Sequence, residues 1–223
     1  MNRLALVKRF NQESAMTGLT ISTTIGQSDS IARMVDWVDL AYQDVQGLHV
    51  DWDFLRHDFS FQTGTTSREY TKSSAGLPEL AAWKVDDIRV YKTPTDESHL
   101  IFTSWENFRR TFLFGAYRGT TGRPLYFSID QANSFWTDAI PNDAYTINGE
   151  YFKRPQVMTL DTSEPLIPLQ HRMIIVWRAL MLYGAYEGAD DVYSHGEKEY
   201  RRVLSQMESL YLPQRSFLKG PLV

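Results

Sequence analysis

HVDWDFLRHDFSF, residues 49–61, is where the rhythm of the chain changes and the fold class is decided. Upstream, Ile31, Met34, Val35, Val38, Ala41, Tyr42 and Val45 recur every three or four residues, the spacing of a helix with one wide apolar face, while Asp36, Asp39, Gln43 and Gln46 lie away from it. Downstream, Phe59, Phe61 and Thr63 alternate with Asp58, Ser60 and Gln62, which is strand spacing. Two histidines and three aspartates in so short a stretch also raise a metal or acid–base site. Asp51 and Asp53 share one side of a turn, but a hard cation needs more converging carboxylates, and the Asp-x-Asp-x-Asp-Gly loop with its distant glutamate is absent. The stretch is a corner. Trp52, Phe54 and Leu55 pin a helix end against a sheet, and Asp51, Asp53 and Arg56 face water.

Working outward, Leu4, Val7 and Phe10 predict a short first helix over residues 2–12, followed by a Thr/Ser/Gly linker, TGLTISTTIGQSDS. Ser28 or Asp29 can cap the helix that leads into the corner. Beyond the corner, TGTTSREYTKS turns and can return as a second strand, and IRVYK (88–92) with HLIFT (99–103) reads as a hairpin around TPTDES. Thr103 and Glu106 form a candidate capping box for a helix, SWENFRRTFLFG, ended by Gly115. PLYFSID (124–130), SFWTDAI (134–140) and AYTINGEYFKRP (144–155), separated by turn-like residues, predict an antiparallel meander. Pro168 opens a long apolar helix that Gly188 can close, and a last helix runs to Leu212 before Pro213. Segregated helices and strands predict an α+β fold: residues 1–50 with 165–213 as a helical bundle core, 51–164 as a β-rich sheet or sandwich region with one short helix, and 214–223 as a tail.

Composition removes several classes. With no cysteine, disulfides, thiolate nucleophiles and zinc–thiolate sites are excluded. A net charge of −4, with no basic stripe, argues against a protein that grips nucleic acid by neutralising phosphates. The start, MNRLALVKRFNQESAM, has too short an apolar run for a secretory signal, and the most apolar stretch, Met173 to Tyr186, is too short to span a bilayer and carries Arg178. A soluble protein without a membrane partner is expected. Aromatic residues at 13% suit a β-rich core or extensive subunit contacts.

No other cluster carries chemistry. YSHGEKEY (193–200) offers His195, Glu197 and Glu199, but zincin chemistry needs two histidines one turn apart, and the two glutamates diverge on a helix. GTTGRPLY (119–126) lacks the Lys-Ser/Thr pair of a phosphate loop and precedes a strand, so it reads as a turn. The five histidines show no serine–acid partnership. Catalytic residues, cofactors and metals are therefore all expected to be none. RMIIVWRALMLYGAYEG (172–188) is apolar nearly all round, which marks a central or interface helix in which Arg178 must find a carboxylate or carbonyl.

MVDWVDLAYQDVQGLHVDWDFLRHDFSF, TGRPLYFSID, GEYFKRP and HRMIIVWRALMLYGAYEGADDVY together resemble the phage adaptor proteins, the head-to-tail connector or head-completion family of tailed bacteriophages, over roughly residues 30–213. The resemblance implies a non-enzymatic structural virion protein. Its copies would form a ring, dodecameric in that family, beneath the portal protein after DNA packaging. The ring would extend the DNA channel, pass double-stranded DNA without sequence-specific binding, and give tail or neck proteins a platform. Such a protein belongs at the head–tail junction, and in the host cytoplasm during assembly. A C-terminal tail reaching the portal would here use Arg215, Phe217, Leu218, Lys219, Leu222 and Val223. Subunit packing is assigned to Trp37, Trp52, Phe54, Trp177, Arg178 and Tyr183. Two other readings stay open: a tail-tube, terminator or other neck component, and, from a different class, a hydrolase or carbohydrate-binding module using Trp83, Trp105 and Trp136 with Asp51, Asp53 or His195.

Overall fold

A computed structural model describes residues 1–15 and 20–213. Among the described residues the α-helices are α1 (Arg3–Glu13), α2 (Asp29–Gly47), α3 (Trp105–Phe112), α4 (Met173–Glu187) and α5 (Asp190–Tyr211). The strands among them are β1 (Arg56–Gln62), β2 (Glu69–Tyr70), β3 (Leu80–Tyr91), β4 (Ser98–His99), β5 (Ile101–Phe102), β6 (Thr121–Gly122), β7 (Tyr126–Ile129), β8 (Phe135–Thr137), β9 (Ile140–Pro141) and β10 (Thr146–Lys153). The chain is α+β, with its long helices towards the two ends of the sequence. It divides into two compact units, Met1–Leu55 with Pro155–Val223, and Arg56–Arg154.

The first unit is helical. α4 packs against α1, α2 and α5, which explains why its sequence is apolar on nearly every side: Ile174, Ile175, Val176, Ala179 and Leu180 are all fully buried. Each large aliphatic side chain removed from water in this way contributes about 1.5–3 kcal/mol. Gly188 adopts a left-handed conformation (φ 69°) and ends α4, with the Ala189 amide returning to the Gly184 carbonyl at 2.9 Å, so that α5 starts almost at once. A polar clasp closes the opposite end. The Asp161 carboxylate accepts the Thr23 and Thr24 hydroxyls and the Thr24 amide at 2.5–2.7 Å. The buried Arg3 guanidinium donates to Asp39, Thr24 and the Thr159 carbonyl. Arg172 donates to the carbonyls of Met1, Pro165 and Ile167, so the loop before α4 is tied to the start of the chain.

The second unit holds two four-stranded sheets, ordered β1-β10-β3-β4 and β2-β8-β7-β5, with a small parallel β6-β9 pair. Both sheets contribute to one core in which Phe59 and Phe61 of β1, Trp83 and Ile88 of β3, Phe127 and Phe135 of β7 and β8, and Ile147 of β10 are buried. Phe135 joins the two, its ring centroid 5.7 Å from Phe61, 5.4 Å from Trp83 and 4.9 Å from Phe127. The β3–β10 register shifts between Asn148 and Glu150. Gly149 lies at that shift because a methyl there would meet Ile88 Cγ1 and the Phe59 ring at 3.0 Å.

Three local expectations are corrected. HLIFT is not one strand: Ser98 and His99 pair with Val90 and Arg89, whereas Ile101 and Phe102 run parallel to β7 in the other sheet. The meander stops after β8, and β10 crosses to lie between β1 and β3. α3 begins at Trp105 with Ser104 as its cap and no side-chain capping bond, so the Thr103/Glu106 box does not form. LAAWKVDD (80–87), which carries no clean alternation, is strand and lengthens β3 well before Ile88.

Candidate functional site

The corner is resolved residue by residue. Trp52 is fully buried, and its indole N–H donates to the Val45 carbonyl at 3.2 Å, the partner a buried indole requires. Its ring centroid lies 5.2 Å from Phe54 and 5.0 Å from His49; Phe54 in turn meets Tyr211 of α5 at 6.1 Å. The side chains that close the corner thus have helical partners, and the sheet begins only at Arg56. Asp51 and Asp53 are exposed. His49 Nε2 sits 3.2 Å from Glu208 of α5, and His57 is in β1 beside Tyr151, so the two histidines of the motif belong to different units. His195 lies edge-on to Trp177 at 5.5 Å, while Glu197 and Glu199 pair with Arg201 and Arg202 along their own helix. GTTGRPLY contains the parallel strand β6 and the loop to β7, and its Arg123 clamps the β3–β4 hairpin through Asp96, Ser98 and the Val90 carbonyl. Among the described residues, no three His, Asp or Glu side chains converge at metal-binding distance.

The residues assigned to subunit packing occupy distinct environments. Trp52 is enclosed by its own chain, whereas Phe54, Trp37, Trp177 and Tyr183 are half-buried. Trp37 and Tyr183 belong to an aromatic cluster that runs from the fully buried Phe10 to the exposed Tyr186, over which Arg33 lies at 4.9 Å. Arg178 finds its carboxylate in Asp44 of α2, donating through Nε at 2.9 Å and Nη2 at 2.7 Å. The six tail residues assigned to portal docking, Arg215 to Val223, lie outside the described residues.

Two further surfaces stand out that the sequence reading missed. In the helical unit, an open groove of about 680 Å³ is lined by Leu40, Gln43 and Leu48 of the α2 segment, Pro155 and Tyr200, with the Arg178–Asp44 pair in its wall. Leu40 and Leu48 are 48% and 45% exposed, and both line the same groove. In the β unit, the excursion from α3 to β6 projects Phe114 and Tyr117, 55% and 58% exposed. Its root is held firmly. The buried Arg68 guanidinium donates to the carbonyls of Phe112, Tyr117, Arg118 and Asp138, and Phe112 stacks on Tyr126 at 5.4 Å. Gly115 supplies the left-handed turn (φ +68°) that raises the tip. Arg109 lies 5.6 Å over the Phe114 ring and Arg110 bonds Asn107, and among the described residues neither these two arginines nor Arg118 has a carboxylate partner. The only sequence signal was the density of rings and arginines in FRRTFLFGAYRG; exposure is not written in spacing.

Open aromatic groups stand on both units, Tyr186 on the helical one and Phe114 and Tyr117 on the β one, and exposed rings of this kind suit protein contacts. The family model described as SU10 adaptor protein matches residues 5–217. The chain belongs to the SU10 adaptor protein family and is a phage adaptor protein. No curated protein matches it. Among the described residues, no helix is long and apolar enough to cross a membrane.

Proposed function

We propose that copies of this chain close into a ring of twelve beneath the portal of a phage head, where the ring extends the DNA channel and carries the tail. The observation behind this reading is the adaptor family match over residues 5–217. A ring needs two different faces of one subunit that complement each other, since a self-matching face stops at a dimer. Half-buried rings such as Trp37, Trp177 and Tyr183 suit such faces, being amphipathic and low in conformational entropy. The role is mechanical, without catalysis. The portal lies on one side and tail or neck proteins on the other, at the head–tail junction of the virion, after assembly in the host cytoplasm. DNA has to leave on infection, and a chain of net charge −4 avoids the multiple phosphate contacts that would hold it. Residues 214–223, with apolar anchors Phe217, Leu218, Leu222 and Val223 and cations Arg215 and Lys219, dock the ring to the portal.

Electron microscopy of tailed particles tests the reading: density for this chain belongs between portal and tail, and density elsewhere rejects it. Removing residues 214–223 is expected to abolish retention on immobilised portal while the far-ultraviolet spectrum stays unchanged. Equal retention of the full and shortened chains rejects the docking role.

A further inference from the structure

The aromatic excursion of the β unit and the groove of the helical unit are opposite in shape, and the groove is flanked by acids where the excursion carries arginines. We propose that the Phe114–Arg118 knob of one copy seats in the α2 groove of the next, making this pair the head-to-tail contact of the assembly. The inference rests on the ring reading for its occupant, a second copy of this chain.

Four observations carry it. First, each half is open on the chain itself: the knob exposes more than half of Phe114 and Tyr117, and the groove nearly half of Leu40 and Leu48. Contiguous exposure of large apolar groups at a concave and at a convex surface marks a contact. Second, the sizes agree, because a groove of about 680 Å³ has room for two aromatic side chains. Third, the flanking charges agree, the Arg178–Asp44 pair leaving the groove lining itself neutral. The knob carries Arg109, Arg110 and Arg118 without carboxylate partners, whereas Asp36, one turn before Leu40 on α2, and Asp51, just beyond Leu48, are exposed acids without ion-pair partners among the described residues. Fourth, the knob is preorganised: Arg68 and the Phe112–Tyr126 stack already fix its root, so little ordering entropy is lost on docking. A duplex would satisfy the arginines but leave Phe114 and Tyr117 in water, which favours protein as the partner. Because knob and groove are different surfaces, the contact is heterologous, and it propagates to a closed ring when the rotation between copies divides a full turn.

The chain has no native cysteine, which permits a clean test. Ala116→Cys marks the knob beside the two rings, and Gln43→Cys marks the groove wall; both positions are exposed. Under mild oxidation, a mixture of the two full-length single variants is expected to yield a covalent dimer, and the double variant a ladder. Either single variant alone should yield no dimer through this contact. Phe114→Ser with Tyr117→Ser should weaken self-association in sedimentation at least about tenfold, as loss of central aromatic anchors does, with unchanged thermal unfolding. A mixture that gives no cross-link up to the solubility limit overturns the inference; if rings are still seen at the portal–tail junction, the ring reading stands without it. Absence of the chain from that junction defeats the ring reading itself. Efficient dimers from one single variant would mean a symmetric contact, and cross-linking that needs removal of residues 214–223 would mean that the tail fills the groove; either overturns it. So does a result in which Arg109→Ala with Arg118→Ala abolishes binding to a fluorescent DNA duplex and leaves self-association untouched.

Discussion

Replacement of Gly184 by alanine tests what holds α4 and α5 together. A methyl group on Gly184 would lie 2.8 Å from the backbone nitrogen of Tyr193 and 3.0 Å from its Cα and Cβ. Non-bonded heavy atoms settle at about 3.5–4.0 Å, so the two helix backbones would have to separate by roughly 0.5–1 Å. The obstructing atoms are mainly backbone, and the helices are joined only through Gly188 and Ala189, so the strain has no flexible outlet. Overpacking of this kind costs about 1–3 kcal/mol. Against it stands the gain of about 0.5–1 kcal/mol when a helical glycine becomes alanine. At the middle of each range, about 2 against about 0.75 kcal/mol, the contact outweighs the propensity, and Gly184→Ala is expected to lose about 1 kcal/mol. In a chain of this length that lowers Tm by about 2–4 °C. Gly47, the last residue of α2, supplies the control, since a methyl there would have nothing within 4 Å. Gly47→Ala should leave Tm unchanged or raise it by up to about 4 °C. Thermal unfolding followed by far-ultraviolet circular dichroism reads both. A Gly184→Ala protein that melts with or above the wild type refutes the reasoning, because propensity alone would then decide.

Three further outcomes follow from the same geometry. Trp52→Ala should cost about 3–5 kcal/mol in denaturant unfolding, whereas Asp51→Ala should stay within about 0.5 kcal/mol, and the reverse order would return the corner to a functional site. Burial holds the His57 imidazole below its ordinary pKa of 6.5, with Lys153 adding to the effect, and burial does the same to His171. The unfolded chain therefore takes up protons at a pH where the folded one has not, so stability is complete above 6.5 and declines as pH falls from 6.5 towards the two lowered values. His57→Gln with His171→Gln should flatten that decline in Tm measured against pH, and an unchanged slope would place the titration elsewhere. Arg123→Ala removes hydrogen bonds to Asp96, Ser98 and the Val90 carbonyl, and should destabilise by about 1–3 kcal/mol with faster amide exchange in β4 than in β10. Uniform acceleration would contradict a local clamp.

The helices and the corner were legible because their signals are local. The three-and-four spacing from Ile31 to Val45 and the alternation from Asp58 to Phe61 each report which side of an element meets apolar surroundings, and Gly188 and Pro213 mark where helices stop. The same local chemistry excluded thiolate and phosphate-loop sites, and the aromatic pattern carried the resemblance to the adaptor family. Partnership was another matter. Nothing in HLIFT tells Ser98 to pair with Val90 while Ile101 joins β7, and nothing in GEYFKRP places β10 between β1 and β3. Arg178 announced a need for an acid, but Asp44 lies 134 residues away. Periodicity states that a face is buried and leaves open what buries it, since contacts between distant segments depend on the summed packing of the whole unit. For the same reason the Phe114–Arg118 knob and the Leu40–Leu48 groove emerged only from the tertiary structure: whether a ring is covered or left in water is decided by which neighbours fold over it.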